Sequence, residues 1–370
     1  MDIICDRKKL CDGLAKISHA VSPKSTIPAL EGILLKTQGD SLLLTGYDLE
    51  LGISTSIECT VKQPGAVILS ARLFTDIARR MDADQISLTV SENNAALLKG
   101  GHSEFKIMGM DASEFPELPR FDGEKGGNES FSLPQGLLKS MIDQTLFAVA
   151  VSDMKPAHKG ILFSLSGGTL TLVAVDGYRL ALRRESSLYQ GDLSFIVPGK
   201  TMGELSKLLK DEEDELAQIA VAGKHIFFTL NDCFLFSRLL EGEFLDYEKA
   251  IPSSHKTQVT IDVRRLTEGL ERVSLLIADR LRSPVRCGFA GETVKLSCQT
   301  SMGGAVDLID VETEGEEVEI GFNSKYFVDA LKAAGCEKAK LLLSGPLSPM
   351  TIVPKDGDKF LFLVLPVRLS

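Results

Sequence analysis

The chain repeats itself, and the repeat limits what it can fold into. Asp6-Arg7-Lys8-Lys9-Leu10-Cys11-Asp12-Gly13-Leu14 aligns without a gap on Asp262-Val263-Arg264-Arg265-Leu266-Thr267-Glu268-Gly269-Leu270, 256 residues later. At half that offset Leu138 and Ile142 stand where Leu10 and Leu14 stand, which marks a weaker middle copy. The offset of 128 also carries Ile33-Leu34-Leu35 onto Ile161-Leu162-Phe163, Leu42 and Leu44 onto Leu170 and Leu172, Asp48 onto Asp176, Arg72 onto Lys200 and Gly39 onto Gly167. In the third copy Val294 and Leu296 correspond with a two-residue shift, and Lys325 opens the helix that Arg72 and Lys200 open earlier. Self-similarity at a fixed period means copies of one supersecondary unit. Three homologous domains are therefore expected, about 1–122, 130–253 and 254–370, joined by the polar stretches 122–128 and 253–256.

Each copy alternates helical and strand periods in the same order. Leu10, Leu14 and Ile17 line one face of a helix, whereas 41–45 and 168–172 alternate apolar and polar residues as half-buried strands do. A second helix follows at 71–82, with Leu73, Phe74, Ile77 and Met81 apolar, and has counterparts at 199–210 and 324–334. The class is α+β, a repeat with two helices per domain packed on antiparallel sheet.

Several functions are excluded by what is missing. The 370 residues contain no phosphate-binding glycine loop and no nucleophile elbow, and the five histidines (19, 102, 158, 225, 255) are isolated, so neither nucleotide hydrolysis nor a zinc site is expected. His225 lies in a strand pattern and reads as structural. The acidic runs at 212–215 and 314–317 read as solvated surface, and Asp48 and Asp176, recurring in two copies, read as turn formers. No enzyme, cofactor or metal is expected. Seven scattered cysteines without a C-x-x-C read as reduced, mostly buried thiols. Charges near the N-terminus and apolar runs no longer than a strand point to a cytoplasmic chain that does not enter membranes.

The net charge of −10 is unevenly spread, because the six expected helices sum to +6 and everything else to −16. With apolar stripes turned to the sheet, Arg7, Lys8, Lys9, Lys16, Arg72, Arg79, Arg80, Lys139, Lys200, Lys207, Lys210, Arg264, Arg265 and Lys325 face away from it on one side of the repeat. One basic face backed by acidic sheet suits phosphates approached without reading bases.

A family resemblance rests on Thr26-Ile27-Pro28-Ala29-Leu30, Leu44-Thr45-Gly46-Tyr47-Asp48-Leu49-Glu50, Asp176-Gly177-Tyr178-Arg179-Leu180-Ala181, Phe244-Leu245-Asp246-Tyr247, Gly321-Phe322-Asn323 and Leu365-Pro366-Val367-Arg368-Leu369. In that order, on a threefold repeat, they resemble the bacterial DNA polymerase III beta subunits, the sliding clamps. The resemblance implies a head-to-tail homodimeric ring around duplex DNA, helices inside, that confers processivity on a polymerase without catalysis. It adds Lys24 to the DNA-facing residues and puts Ser152, Pro156 and Ala157 at further contact positions. It implies a pocket for peptides of the polymerase alpha subunit, the clamp-loader delta subunit and other clamp-binding proteins, formed by Val175, Gly177, Tyr178, Arg179, Leu180, Leu245, Lys249, Ala250, Leu363, Leu365, Pro366, Val367 and Arg368. It implies a dimer contact between Phe105 and Ile107 of one chain and Leu275 and Leu276 of the other. His158, Leu245, Lys249 and Ser370 depart from the family pattern around the pocket. The alternatives are an interaction scaffold that ignores DNA and an enzyme with an unrecognised pair of acids.

Overall fold

The computed structural model describes residues 1–119, 129–152, 155–212, 214–277 and 283–369; the whole of the first expected linker and Ser370 lie outside them. Among the described residues six α-helices form where the periodicity puts them: α1 Arg7–Ile17, α2 Ala71–Arg80, α3 Gln135–Leu146, α4 Gly199–Leu208, α5 Val263–Ser274 and α6 Ser324–Ala334. The gapless repeat is a repeat of capping. Asp6 accepts the Lys9 N–H and Asp262 the Arg265 N–H, each at 2.9 Å, which satisfies a donor the helix itself cannot and sets negative charge at its positive end. In the middle copy Pro134 stands at this place.

The same repeat explains how closely two helices approach the sheet. A Cβ on Gly13 would stand 3.0 Å from Leu44, and one on Gly269 would stand 2.3 Å from Ile309 and 3.1 Å from Leu296. Leu44 therefore corresponds to Leu296. The turn glycines Gly39, Gly167 and Gly291, all at φ of 57° or 58°, agree. In this region the third copy runs at an offset of 252, a shift of four residues where two were expected.

One compact unit holds Met1–Leu138 and Lys207–Leu239. Its twelve-stranded antiparallel sheet combines strands of the first and middle copies, joined where Leu51–Gln63 runs beside Cys233–Arg238 with Ile53 opposite Leu235. The other unit holds Lys139–Ser206 and the chain from Leu240 on. It contains a nine-stranded sheet, in which Arg179–Ser186 pairs with Phe360–Val364, and a four-stranded sheet made wholly by the third copy.

The sheets are apolar on both faces in the first two copies. Helices cover one face. On the other lies a strap with one short 3₁₀ turn, Ala112–Glu114 or Glu248–Ala250: Phe115 packs with Tyr47, Ile68 and Phe236 in the first unit, and Phe244, Tyr247 and Ile251 pack with Leu162, Val173 and Leu182 in the second. Each strap is pinned by one bridge, Ile68 to Met110 and Ile196 to Leu240, and the tail repeats the motif with Gly321 to Val367. This corrects the expectation of half-buried strands: Thr169–Val175 is buried continuously from Leu170 onward, because strap and helix enclose it from both sides. A second correction concerns α2, whose buried stripe is Ala71, Phe74, Thr75 and Ala78. Leu73, expected in the core, lies one position off that stripe and is 52% exposed.

Candidate DNA and peptide interfaces

Arg72, Lys200 and Lys325 occupy the second position of α2, α4 and α6, and all three are exposed. Lys8, Lys24, Arg79, Arg80, Lys207, Lys210 and Arg265 are exposed as well, and Lys139 is half-buried. Exposure does not mean lack of a partner: Lys139, Lys200 and Lys207 interact within the chain, Lys210 pairs with Glu215 at 2.8 Å, and further basic residues are engaged as well. The Arg7 guanidinium donates from Nε to the Ala83 carbonyl at 2.8 Å. Lys9 meets Glu58 at 2.6 Å, a hydrogen bond that raises the ammonium's pKa; Lys16 meets Asp232, and Arg264 meets Glu268 at 2.8 Å. Such solvent-facing pairs are weak, so a phosphate can compete with the carboxylate. Of the further contact positions, Ser152 is exposed, whereas Ala157 is buried in the core beneath the second strap.

The expected pocket residues lie together in the second unit. Val175, Leu180 and Leu363 are buried in one apolar cluster, with Leu180 directly opposite Leu363 across neighbouring strands. The turn above them is built by Asp176, whose Oδ1 accepts the N–H groups of Tyr178 at 2.9 Å and Arg179 at 3.0 Å, with Gly177 at φ +91°. Asp48 makes the same turn with Glu50 and Leu51 at 3.0 and 2.8 Å, so both aspartates are turn formers. The tail is stitched alongside: the Leu365 N–H donates to the Tyr178 carbonyl at 2.9 Å and the Val367 N–H to Gly321 at 2.8 Å. Pro366 is half-buried, and Arg368, Leu245, Lys249 and Ala250 are exposed. Lys249 pairs with Asp246 at 2.7 Å.

Two residues of this region are enclosed. The Arg179 side chain is only 10% exposed, donating to Asp176 at 2.9 Å and Asp329 at 2.6 Å, with its guanidinium over the rings of Tyr326 and Phe147. It is a pillar under the turn. His158 is buried with its ring 5.4 Å from that of Phe244, and burial, helped by Lys155, lowers its pKa. Tyr326 was missed by the sequence reading. It stacks on the exposed Tyr178 at 5.7 Å and extends the pocket rim onto α6; the run Lys325-Tyr326-Phe327 is its only sequence signal.

Each unit also ends a sheet in an open edge. In the first unit the edge is Ser103–Met108, with Phe105 and Met108 exposed and Ile107 half-buried. In the second it is Gly303–Asp310, with Val306 and Leu308 exposed. Leu275 caps α5 and is 82% exposed, and Leu276 is half-buried. Val306 and Leu308 went unnoticed in the sequence, although Val306-Asp307-Leu308 alternates as an edge strand does. Among the described residues no cluster of three or more His, Cys, Asp or Glu is placed to hold a metal, and no helix is long and apolar enough to cross a membrane.

Comparison with known proteins matches the whole chain in three consecutive pieces. The models of the N-terminal, central and C-terminal domains of the DNA polymerase III beta subunit cover residues 1–119, 132–246 and 248–368. The chain is 33% identical to the beta sliding clamp of Halalkalibacterium halodurans over the full length of both. Among solved structures it is similar to the DNA polymerase sliding clamp of Bacillus subtilis, with a TM-score of 0.95 at 29% identity, and to the clamp of Pseudomonas aeruginosa bound to griselimycin, with 0.93 at 31%; each covers 100% of both chains.

Proposed function

The chain belongs to the DNA polymerase III beta subunit family, the beta sliding clamps, and from that membership we infer how this molecule performs the family's task. It is a non-catalytic clamp that encircles DNA, associates with itself and tethers polymerase to its template. Its three domains are 1–122, 130–253 and 254–370. Two chains join head to tail into a ring of six domains. The edge Ser103–Met108 of one chain, with Phe105, Ile107, Met108 and the off-stripe Leu73, meets the edge Gly303–Asp310 of the other, with Val306, Leu308, Leu275 and Leu276. A heterologous contact of this kind closes when the rotation allows it, and pairing two open edges removes an aggregation hazard from each.

The helices line the channel, and Lys8, Lys24, Arg72, Arg79, Arg80, Lys200, Lys207, Arg265 and Lys325 hold the duplex through its phosphates. Arg7, Lys9, Lys16 and Arg264 add weaker contacts by exchanging an internal partner for phosphate, and Lys139 stands among them. Attraction spread over many phosphates, with no base read, permits sliding. The apolar floor of Val175, Leu180 and Leu363, rimmed by Gly177, Tyr178, Tyr326, Leu245, Ala250 and the tail 365–368, takes peptides of the polymerase alpha subunit, the loader delta subunit and other clamp-binding proteins in the cytoplasm. Arg179 supports this site from below.

The observation that carries the reading is the recurrence of an exposed basic residue at the second position of α2, α4 and α6, one per repeat, in an otherwise acidic chain. A scaffold indifferent to DNA has no need of it. The test is topological. The protein is loaded by a clamp loader onto nicked circular DNA, which is then cut. Retention on the circle and loss from the cut molecule at the same salt concentration is expected; equal dissociation from both would reject encirclement.

A further inference from the structure

The strand Asp2–Asp6 pairs with Leu51–Gln63 so that Cys5 stands directly opposite Cys59. Directly opposed residues of an antiparallel pair stand about 4.5–5.5 Å apart at Cα, within the about 4.4–6.8 Å that a disulfide spans, so a small approach of the two Cβ atoms separates this pair from a bond. In that register both side chains lie on the same face of the strand pair. The remaining cysteines are engaged otherwise: Cys298 donates to the Val273 carbonyl at 3.0 Å and Cys336 to Lys338 at 3.3 Å, while Cys233 and Cys287 are buried. Cys11, half-buried beside Arg7 and Arg79, and the half-buried Cys336 are the rivals for an oxidant.

We propose that Cys5 and Cys59 are a modification site, a dithiol that a peroxide converts reversibly to an intrachain disulfide. The roles differ by exposure, since Cys59 is half-buried and Cys5 buried. Cys59 reacts first: its sulfur attacks one oxygen of hydrogen peroxide, the O–O bond breaks, and the departing hydroxide takes up the thiol proton, giving a sulfenic acid and one water. The Cys5 thiol then attacks that sulfur, loses its proton and expels hydroxide, which leaves as a second water. Peroxide is the two-electron oxidant, the two thiols are oxidised, and a thiol reductant restores them. Burial pushes Cys5 up to about 12 and raises Cys59 as well, which keeps thiolate scarce and the first step slow. The pair therefore stays reduced in a glutathione-buffered cell and closes only under strong peroxide. The product ties the strand that leads into α1 to its neighbour.

The rival reading is that both cysteines only pack. The full-length protein, a Cys11→Ser variant, Cys5→Ser and Cys59→Ser are incubated with hydrogen peroxide, then denatured and titrated for thiols. The Cys11→Ser protein is expected to lose two of its six remaining thiols, with a peptide mass about 2 Da lower linking residues 5 and 59, and to regain them with dithiothreitol. Cys5→Ser traps the intermediate, so dimedone labels Cys59 in that variant but not in the parent. Cys59→Ser forms no link. Dimedone labelling of Cys59 in the parent, a link to a different cysteine, or two unreacted thiols at 5 and 59 would each overturn the proposal.

Discussion

Arg179 shows how one enclosed side chain can brace a turn from beneath. Its charge is shared between Asp176, which shapes the turn bearing Tyr178, and Asp329 on α6, and its flat guanidinium lies against Tyr326 and Phe147. Replacing it with Met leaves two largely buried carboxylates without their partner, a loss of about 3 kcal/mol by urea unfolding. Lys is expected to rescue less than half, because an ammonium can neither fork between the two acids nor stack. At His158 the sign runs through burial. Its pKa is lowered in the folded chain, so the unfolded chain takes up the proton first as pH falls. The stability this residue contributes is present above the ordinary imidazole range, about 6.5, and is lost as pH drops below it. His158→Phe, which keeps the ring against Phe244, should flatten the fall in thermal stability between about pH 7 and about pH 5; an unchanged slope would assign that fall to other groups.

Helix ends and helix–sheet contacts are where the repeat acts as physics. Asp6→Ala and Asp262→Ala each remove a cap hydrogen bond and are expected to cost about 1 kcal/mol. Asn323, which accepts from both Lys325 and Tyr326, is a cap of the same kind for α6. The two packing glycines differ. Gly269→Ala would bring a methyl to 2.3 Å from Ile309, whereas Gly13→Ala meets the end of Leu44 at 3.0 Å. Gly269→Ala is therefore expected to be the more destabilising by about 1–2 kcal/mol, and denaturant midpoints of the two variants check this. These elements were legible because their signals are local: an acidic residue before an apolar stripe, a period of three to four, alternation in strands. Leu73 was misplaced because the α2 stripe is only as wide as the sheet beneath it, and that width is set by strands far off in sequence.

At the scale of the whole molecule the proposed ring is tested at its edges. Val306→Lys with Leu308→Lys puts charge on an edge that the proposed ring would bury, so light scattering is expected to show the mass of one chain, about 40 kDa, where the unaltered protein is expected to give twice that. Binding of a polymerase peptide by fluorescence anisotropy should be unchanged, since the pocket is on another sheet; loss of both would mean misfolding. By itself the sequence determined the three copies, their α+β order, the caps, the Asp48 and Asp176 turns, the clamp resemblance and the concentration of positive charge on helices. All of these depend on residues a few positions apart or on a period that survives in the chain. Only the tertiary structure decided that a strap closes the outer face of two copies, that Arg179 is shut beneath the pocket while Tyr326 reaches its rim, that Arg7, Lys9, Lys16 and Arg264 already have partners, and that Cys5 faces Cys59. Each of these joins residues brought together by strand register or helix packing. Pairings across such distances leave no periodic trace in the chain, because what selects them is the burial of whole faces and not any local preference.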